Sequence, residues 1–232
     1  MSKVAVDIDD TLYDFNLLAQ EMITKVAIQE DDKEMQKGAY SSWNEWRAPK
    51  DTVNTEFWLS IIDMCHQDHL IRSQMPFKHS VTVMRKIASA GHEIVYISNR
   101  ADSTYDATKQ WLVTHGFPQP TSLICTSEDK APLIADCQYL IDDRPKTLVE
   151  FVYDHKWKEE INEIVNLASD VNMNLPHTRF NRVGFGLFCE YNRALTDVPG
   201  IYLAPNWALL EKYIEEKSDL LGRYSTSISS SI

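Results

Sequence analysis

A short run of β-branched residues that ends in acids constrains this chain more than any other feature. Residues 3–8 (KVAVDI) lead straight into Asp9 and Asp10. Such a run, apolar on both faces and closed by carboxylates, predicts a buried parallel strand whose carboxyl end carries function. The same grammar recurs downstream. HEIVYIS (92–98) reads as a strand after a helix at 79–90 stopped by Gly91. SLICT (122–126) follows a helix at 104–115 stopped by Gly116, and QYLIDD (138–143) follows a short helix after Lys130 and again ends in acids. A helix at 145–153, a strand at 183–189 and a last strand–helix pair (GIYLAP, then NWALLEKYIEE) complete the alternation. Strand–helix–strand order at this spacing predicts a doubly wound parallel α/β sheet covered on both faces.

One stretch breaks the rhythm. After a helix at 14–30, residues 31–77 are rich in acids and aromatics and contain Pro49 and Pro76, which predicts a small helical insertion. The expected domains are therefore a core of residues 1–14 and 78–222 and a helical cap of residues 15–77. Residues 155–181 are polar and partly helical in pattern, and the tail at 223–232 is expected to be disordered.

Composition narrows the partners. A formal net charge of −11 argues against gripping long nucleic acid, which needs clustered Lys and Arg. It leaves room for a small anion met locally by a metal ion and a few basic side chains. The four cysteines, Cys65, Cys125, Cys137 and Cys189, form no CxxC or Cys/His pair and read as reduced core residues of a cytoplasmic protein. No apolar run approaches the roughly 18 residues that span a bilayer, and the N-terminus lacks the apolar stretch of an export signal.

Three strands end in chemistry-bearing side chains: Asp7 and Asp9, then Ser98, then Asp142 and Asp143. In an open parallel sheet ligands bind at the carboxyl ends of strands, so these residues should converge, with Lys130 joining them. Carboxylates from two strands make an oxygen-rich cradle suited to Mg²⁺. Asp7 is then placed to attack phosphorus and form an aspartyl-phosphate. Asp9, just past the strand end, is placed to protonate the leaving oxygen and later take a proton from water. Ser98 and Asn99, with nearby backbone N–H groups, are expected to hold phosphoryl oxygens, and Lys130 to balance charge.

DIDDTL (7–12), ISNR (97–100), Lys130 and IDD (141–143) resemble, in order, the four motifs of the haloacid dehalogenase superfamily. The resemblance covers roughly residues 3–27 and 79–153. It implies a Rossmann-like core with a cap inserted after the first strand, Asp7 as nucleophile, Asp9 as acid/base, Ser98 on phosphate and Lys130 as charge stabiliser. It also implies Mg²⁺ held by Asp7, the Asp9 carbonyl and Asp143, with Asp142 in support. Asp10 stands where many members have Gly. DIDDTLYDF (7–15), TSEDKAPLIADCQYLIDDRP (126–145), EYNRAL (190–195) and the closing NWALLEKYI look like the 5′(3′)-deoxyribonucleotidase branch. That branch implies a nucleoside monophosphate as substrate, with Phe15 and cap aromatics around the base; Trp43, Trp46, Phe57 and Trp58 are the candidates. Glu190 replaces the Pro of the branch's Pro-Tyr-Asn-Arg element, and 155–181 stands where members have a short connection.

Plainer readings stand beside these. Phe57 and Trp58 are adjacent, so at least one points into core. Asp14 reads as a helix cap. Arg100 either meets phosphate or pairs with an acid, Arg144 either orients Asp142, caps a helix or meets substrate, and the seven histidines read as structural or surface groups. Two other functions fit the same residues: a phosphatase on another small phosphoester or a nucleic-acid end, and a non-catalytic binding protein on the same fold. The second would not need Asp7, Asp9, Ser98, Lys130 and Asp143 all together.

Overall fold

The computed structural model describes residues 1–29, 55–153 and 182–221. Trp43, Trp46, the polar 155–181 segment up to residue 181 and the expected disordered tail lie outside the described residues. The chain opens with β1 (Lys3–Val6), α1 (Phe15–Gln29), α2 (Thr55–Cys65), α3 (Asp68–Ser73) and α4 (Ser80–Ser89). Then come β2 (Glu93–Ser98), α5 (Tyr105–His115), β3 (Leu123–Cys125), α6 (Lys130–Leu133), β4 (Tyr139–Ile141) and α7 (Pro145–Val152). The described chain closes with β5 (Val183–Leu187), β6 (Ile201–Ala204) and α8 (Trp207–Lys217).

The six strands form one parallel sheet in the order β3-β2-β1-β4-β5-β6. This is the doubly wound order, and its topological switch point lies between β1 and β4. Alternation along β1 shows why both faces are covered. Val4 and Val6 join the apolar cluster containing Val83, Met84, Trp111, Leu112, Trp207 and Leu210 of α4, α5 and α8. Ala5 points the other way, into a cluster with Leu148, Val149 and Val152 of α7. A strand buried on both faces must be apolar throughout, as KVAV is after its first residue.

Local chemistry sets the ends. Gly116 stops α5 in a left-handed conformation (φ 73°), where a residue with a Cβ is strained. Asn206 caps α8 by accepting the Leu209 N–H at 3.0 Å, and Asp14 accepts the Leu17 N–H at 2.8 Å at the start of α1, the capping role its position predicts. The described helices between β1 and β2 share the core's packing. Phe15, Leu18, Ile23 and Ile61 belong to the same cluster as the sheet, and α3 packs on α5, where Trp111 donates to the Gln74 carbonyl at 2.7 Å. Among the described residues no helix is long and apolar enough to cross a membrane.

Candidate active site

β1 and β4 run side by side, pairing Val6 with Ile141, so the residues that follow them emerge together at the switch point. The Asp7 N–H donates to the Ile141 carbonyl at 2.8 Å, fixing the register of the acids beyond. One carboxylate oxygen from each of Asp7, Asp142 and Asp143 lies within 4.8 Å of the other two, all three residues being buried. Gly186 on β5 makes this possible: a Cβ there would stand 2.4 Å from the Asp142 carbonyl oxygen.

Lys130, 3% exposed at the start of α6, reaches into the acids. Its ammonium donates to Asp7 Oδ1 and lies 3.4 Å from Asp142 Oδ2. Burial opposes its charge, but Asp142 and Asp7 outweigh that and raise its pKa. The acids repel one another. Burial, with Asp142 and Asp9 against Lys130, pushes Asp7 up to about 6. Burial and the charges of Asp142, Asp7 and Asp10 push Asp143 well above the ordinary range.

The Asp9 carboxylate is held differently. Arg100 donates to both of its oxygens, Nε to Oδ2 at 3.0 Å and Nη2 to Oδ1 at 2.7 Å. Tyr13 donates to Oδ1 at 2.6 Å and Ser98 to Oδ2 at 3.0 Å. Burial alone would raise Asp9, but Arg100 first, with His66, holds it well below the usual carboxylate range. Arg100 is 1% exposed and also donates to Thr108 at 2.7 Å. It pairs with an acid, the second of the two roles open to it, and does not line the cavity. Ser98, expected on phosphate, also sits behind Asp9.

Asp10 has φ 57°, the left-handed conformation that glycine adopts without cost and Asp tolerates. Its carboxylate accepts the Asn16 N–H at 2.8 Å and so ties the loop to α1.

Above the acids lies a cavity of about 90 Å³ lined by Asp7, Asp9, Asp10, Asn99, Lys130, Asp143 and Arg144 below and by Phe15, Ile62 and His66 on the helical side. Of the expected aromatics, Phe15 is brought to the site. Phe57 and Trp58 do not line the cavity; both are half-buried against the main core. His66, Tyr13, Thr11 and Tyr191 were not singled out from sequence. Thr11 lies 3.3 Å from Asp7 Oδ2 and 3.4 Å from Asp143 Oδ1. Tyr191 donates to Asp143 Oδ2, and Asn192 donates to the carbonyls of Asp143 at 3.0 Å and Leu187 at 2.8 Å. EYNRAL therefore props the metal-type acids from β5. Its resemblance to a known element was the available signal; no spacing rule pointed to His66.

The donor set fits a hard divalent cation. Three converging carboxylates, two of them pushed upward by burial and by their neighbours' charge, are what such an ion relieves. Asp142 has its Oδ1 on the Arg144 N–H at 2.7 Å and its Oδ2 toward Lys130, whereas Asp143 lines the cavity.

Fold and site together define a phosphatase of the haloacid dehalogenase superfamily. Solved structures with this fold include a haloacid dehalogenase-like hydrolase from Streptococcus pneumoniae, 11% identical, TM-score 0.55, covering 92% of this chain and 98% of that one. A hydrolase from Pseudomonas syringae is 12% identical with a TM-score of 0.52, over 94% and 100% of the two chains. Residues 1–159, more than half of the chain, match the family model described as "5' nucleotidase, deoxy (Pyrimidine), cytosolic type C protein", and the chain belongs to that family. A Bacillus cereus protein named "Putative nucleotidase" is 27% identical over 156 residues, 63% of this chain and 78% of its own length.

Proposed function

We propose that this phosphatase hydrolyses (deoxy)nucleoside 5′- or 3′-monophosphates through an aspartyl-phosphate on Asp7. The observation that carries the reading is the convergence of Asp7, Asp142, Asp143 and Lys130 beneath a cavity roofed by Phe15. Residues that would hold Mg²⁺ are Asp7, Asp143 and the Asp9 carbonyl, with Asp142 in support. When bound, the ion would neutralise the acids and the phosphoryl oxygens.

The chain's own groups then divide the work. Lys130 keeps Asp7 ionised and oriented, so that one carboxylate oxygen attacks phosphorus as the bond to the leaving oxygen breaks. Asn99 and Lys130 line the cavity and would meet the phosphoryl oxygens, Asn99 with its amide also donating to the Glu128 carbonyl at 3.0 Å. Asp9 serves both half-reactions. Arg100, Tyr13 and Ser98 hold it as a carboxylate, the form that takes a proton from the attacking water. The charge of an arriving phosphate opposes that ionisation and favours the protonated form needed by the leaving oxygen. The −11 net charge supports a small substrate over a polymer.

A second reading comes from the size of the cavity, about 90 Å³. It accepts a phosphoryl group and the first atoms of its leaving group, well short of the roughly 300 Å³ at which ligand pockets begin. That favours a smaller phosphoester as the alternative substrate. Phosphate release across nucleoside monophosphates, sugar phosphates and p-nitrophenyl phosphate, with and without Mg²⁺, tests both. Nucleotides should lead and EDTA should abolish turnover; a preference for sugar phosphates would overturn the nucleotidase reading.

A further inference from the structure

A second cavity adjoins the catalytic one through the residues that would meet the phosphoryl oxygens. It measures about 280 Å³ against about 90 Å³, and the two share Asn99, Lys130 and Arg144. One side-chain contact stands between them: Arg144 Nη1 donates to Asn99 Oδ1 at 3.0 Å. Beyond it the lining is Ser127, Glu128, Asp129, Lys146, Thr147 and Glu150, without one aromatic or aliphatic residue. The roof of the catalytic cavity is the reverse, presenting Phe15 and Ile62 beside His66.

The proposed turnover ends with an anion on the floor. The oxygen of water bonds to phosphorus, the bond from phosphorus to the Asp7 carboxylate breaks, Asp9 takes a proton of the water, and inorganic phosphate remains. Drawing that anion past an apolar roof strips its hydration without replacement, whereas a polar passage keeps it solvated. We infer that inorganic phosphate leaves sideways, past the Arg144–Asn99 contact into the polar cavity, where Lys146 receives it. The Lys146 side chain is 64% exposed, and its ammonium stands 3.7 Å from Glu150 Oε1, too far for a hydrogen bond, so its donors can turn to an anion. The contact to be parted is a single exposed hydrogen bond, a small barrier. Lys130, Arg144 and Lys146 are offset by Glu128, Asp129 and Glu150, so the passage draws an anion without trapping it, as an exit requires. Liquid water takes ~30 Å³ per molecule, which leaves room for a phosphate travelling with several waters. The inference rests on the catalytic reading of the floor and on no particular leaving group.

Two substitutions outside the catalytic cavity test this. Ser127→Trp crowds the passage, and Lys146→Glu reverses the charge that receives the anion. Parent and variants are given p-nitrophenyl phosphate and Mg²⁺, with melting temperatures recorded to confirm folding. Release of p-nitrophenol and of free phosphate is followed together, and solvent oxygens taken from ¹⁸O-water are counted in each phosphate released. In the parent, free phosphate should keep step with p-nitrophenol and carry a single solvent oxygen. Phosphate release should slow about 10-fold in Ser127→Trp and about 3-fold in Lys146→Glu, behind an initial burst of p-nitrophenol. The phosphate from both variants should carry more than one solvent oxygen, because retained phosphate re-forms the bond to Asp7 with loss of water and is hydrolysed again. Slower hydrolysis of the aspartyl-phosphate would also give a burst, but would leave the count at one. Free phosphate in step with p-nitrophenol in both variants, or slowed release with a count of one, would overturn the proposal. The readings fail separately. A parent that prefers sugar phosphates to nucleotides, with phosphate retained in the variants, would fell the nucleotidase reading and leave the exit standing. Preferred nucleotides with no retention would do the opposite.

Discussion

The floor and the roof of the catalytic cavity are built on opposite principles. Below, at the ends of β1 and β4, every carboxylate is gripped: Asp7 by Lys130, Asp143 by Tyr191, Asp9 by Arg100, Tyr13 and Ser98. The groups are buried, alike in charge and fixed by strand register. Above, Phe15, Ile62 and His66 present two apolar side chains and an imidazole, 3.8 Å from Asp9, from α1, α2 and the turn beyond. In the proposed function the floor would govern whether a phosphoester bond is broken, and the roof which leaving group is admitted.

The sharpest way to break this division is Asp7→Asn. It keeps shape but cannot form the acyl-phosphate, so turnover should drop on the order of 10³-fold or more on every substrate, whatever its leaving group. Comparable activity in a folded Asp7→Asn protein would remove the floor from the mechanism.

The next effect lies in stability. Asp7 is raised to about 6 in the folded chain from an ordinary value of 3.8, and Asp143 is raised too. A carboxyl raised on folding contributes stability that is full below its unfolded value and is lost as pH climbs through the folded one. Metal-free protein should therefore melt lower at pH 7 than at pH 4.5 as far as these groups decide it. Mg²⁺ at about 100 times its Kd should restore about 2.7 kcal/mol at pH 7, or about 5–10 °C in Tm. Scanning fluorimetry that showed neither trend would contradict a repulsive, cation-relieved floor.

A smaller effect belongs to the roof. Loss of stacking makes Phe15→Ala cost about 5- to 150-fold in kcat/KM for nucleotides. The same variant should cost much less on p-nitrophenyl phosphate, which has no base. Equal losses would show that Phe15, 5% exposed and packed on His66, acts only as core.

The smallest change is at a prop. Tyr191→Phe removes the hydroxyl from Asp143, and about a tenfold rise in the Mg²⁺ concentration for half-maximal activity is expected, with leaving-group preference unchanged. An altered preference would mean that floor and roof are coupled through β5.

The alternation of apolar runs and helical stretches determined the sheet, its helices and the convergence of Asp7, Asp9, Lys130, Asp142 and Asp143, because short apolar runs, helical periodicity and strand-end acids are local signals. Tertiary structure decided everything that depends on pairing across the chain. Arg100 could equally have met phosphate; 91 residues separate it from Asp9, and only the apposition of β1 and β2 turns it onto that acid. Tyr191 reaches Asp143 because β5 lies beside β4. The insertion's aromatics were legible as candidates, yet which of them faced the cavity was not, since a helix displays side chains in every direction and packing selects among them. Phe57 and Trp58 pack half-buried against the core, and the turn after α2 brought His66, unmarked by any motif, to within 3.8 Å of Asp9 instead.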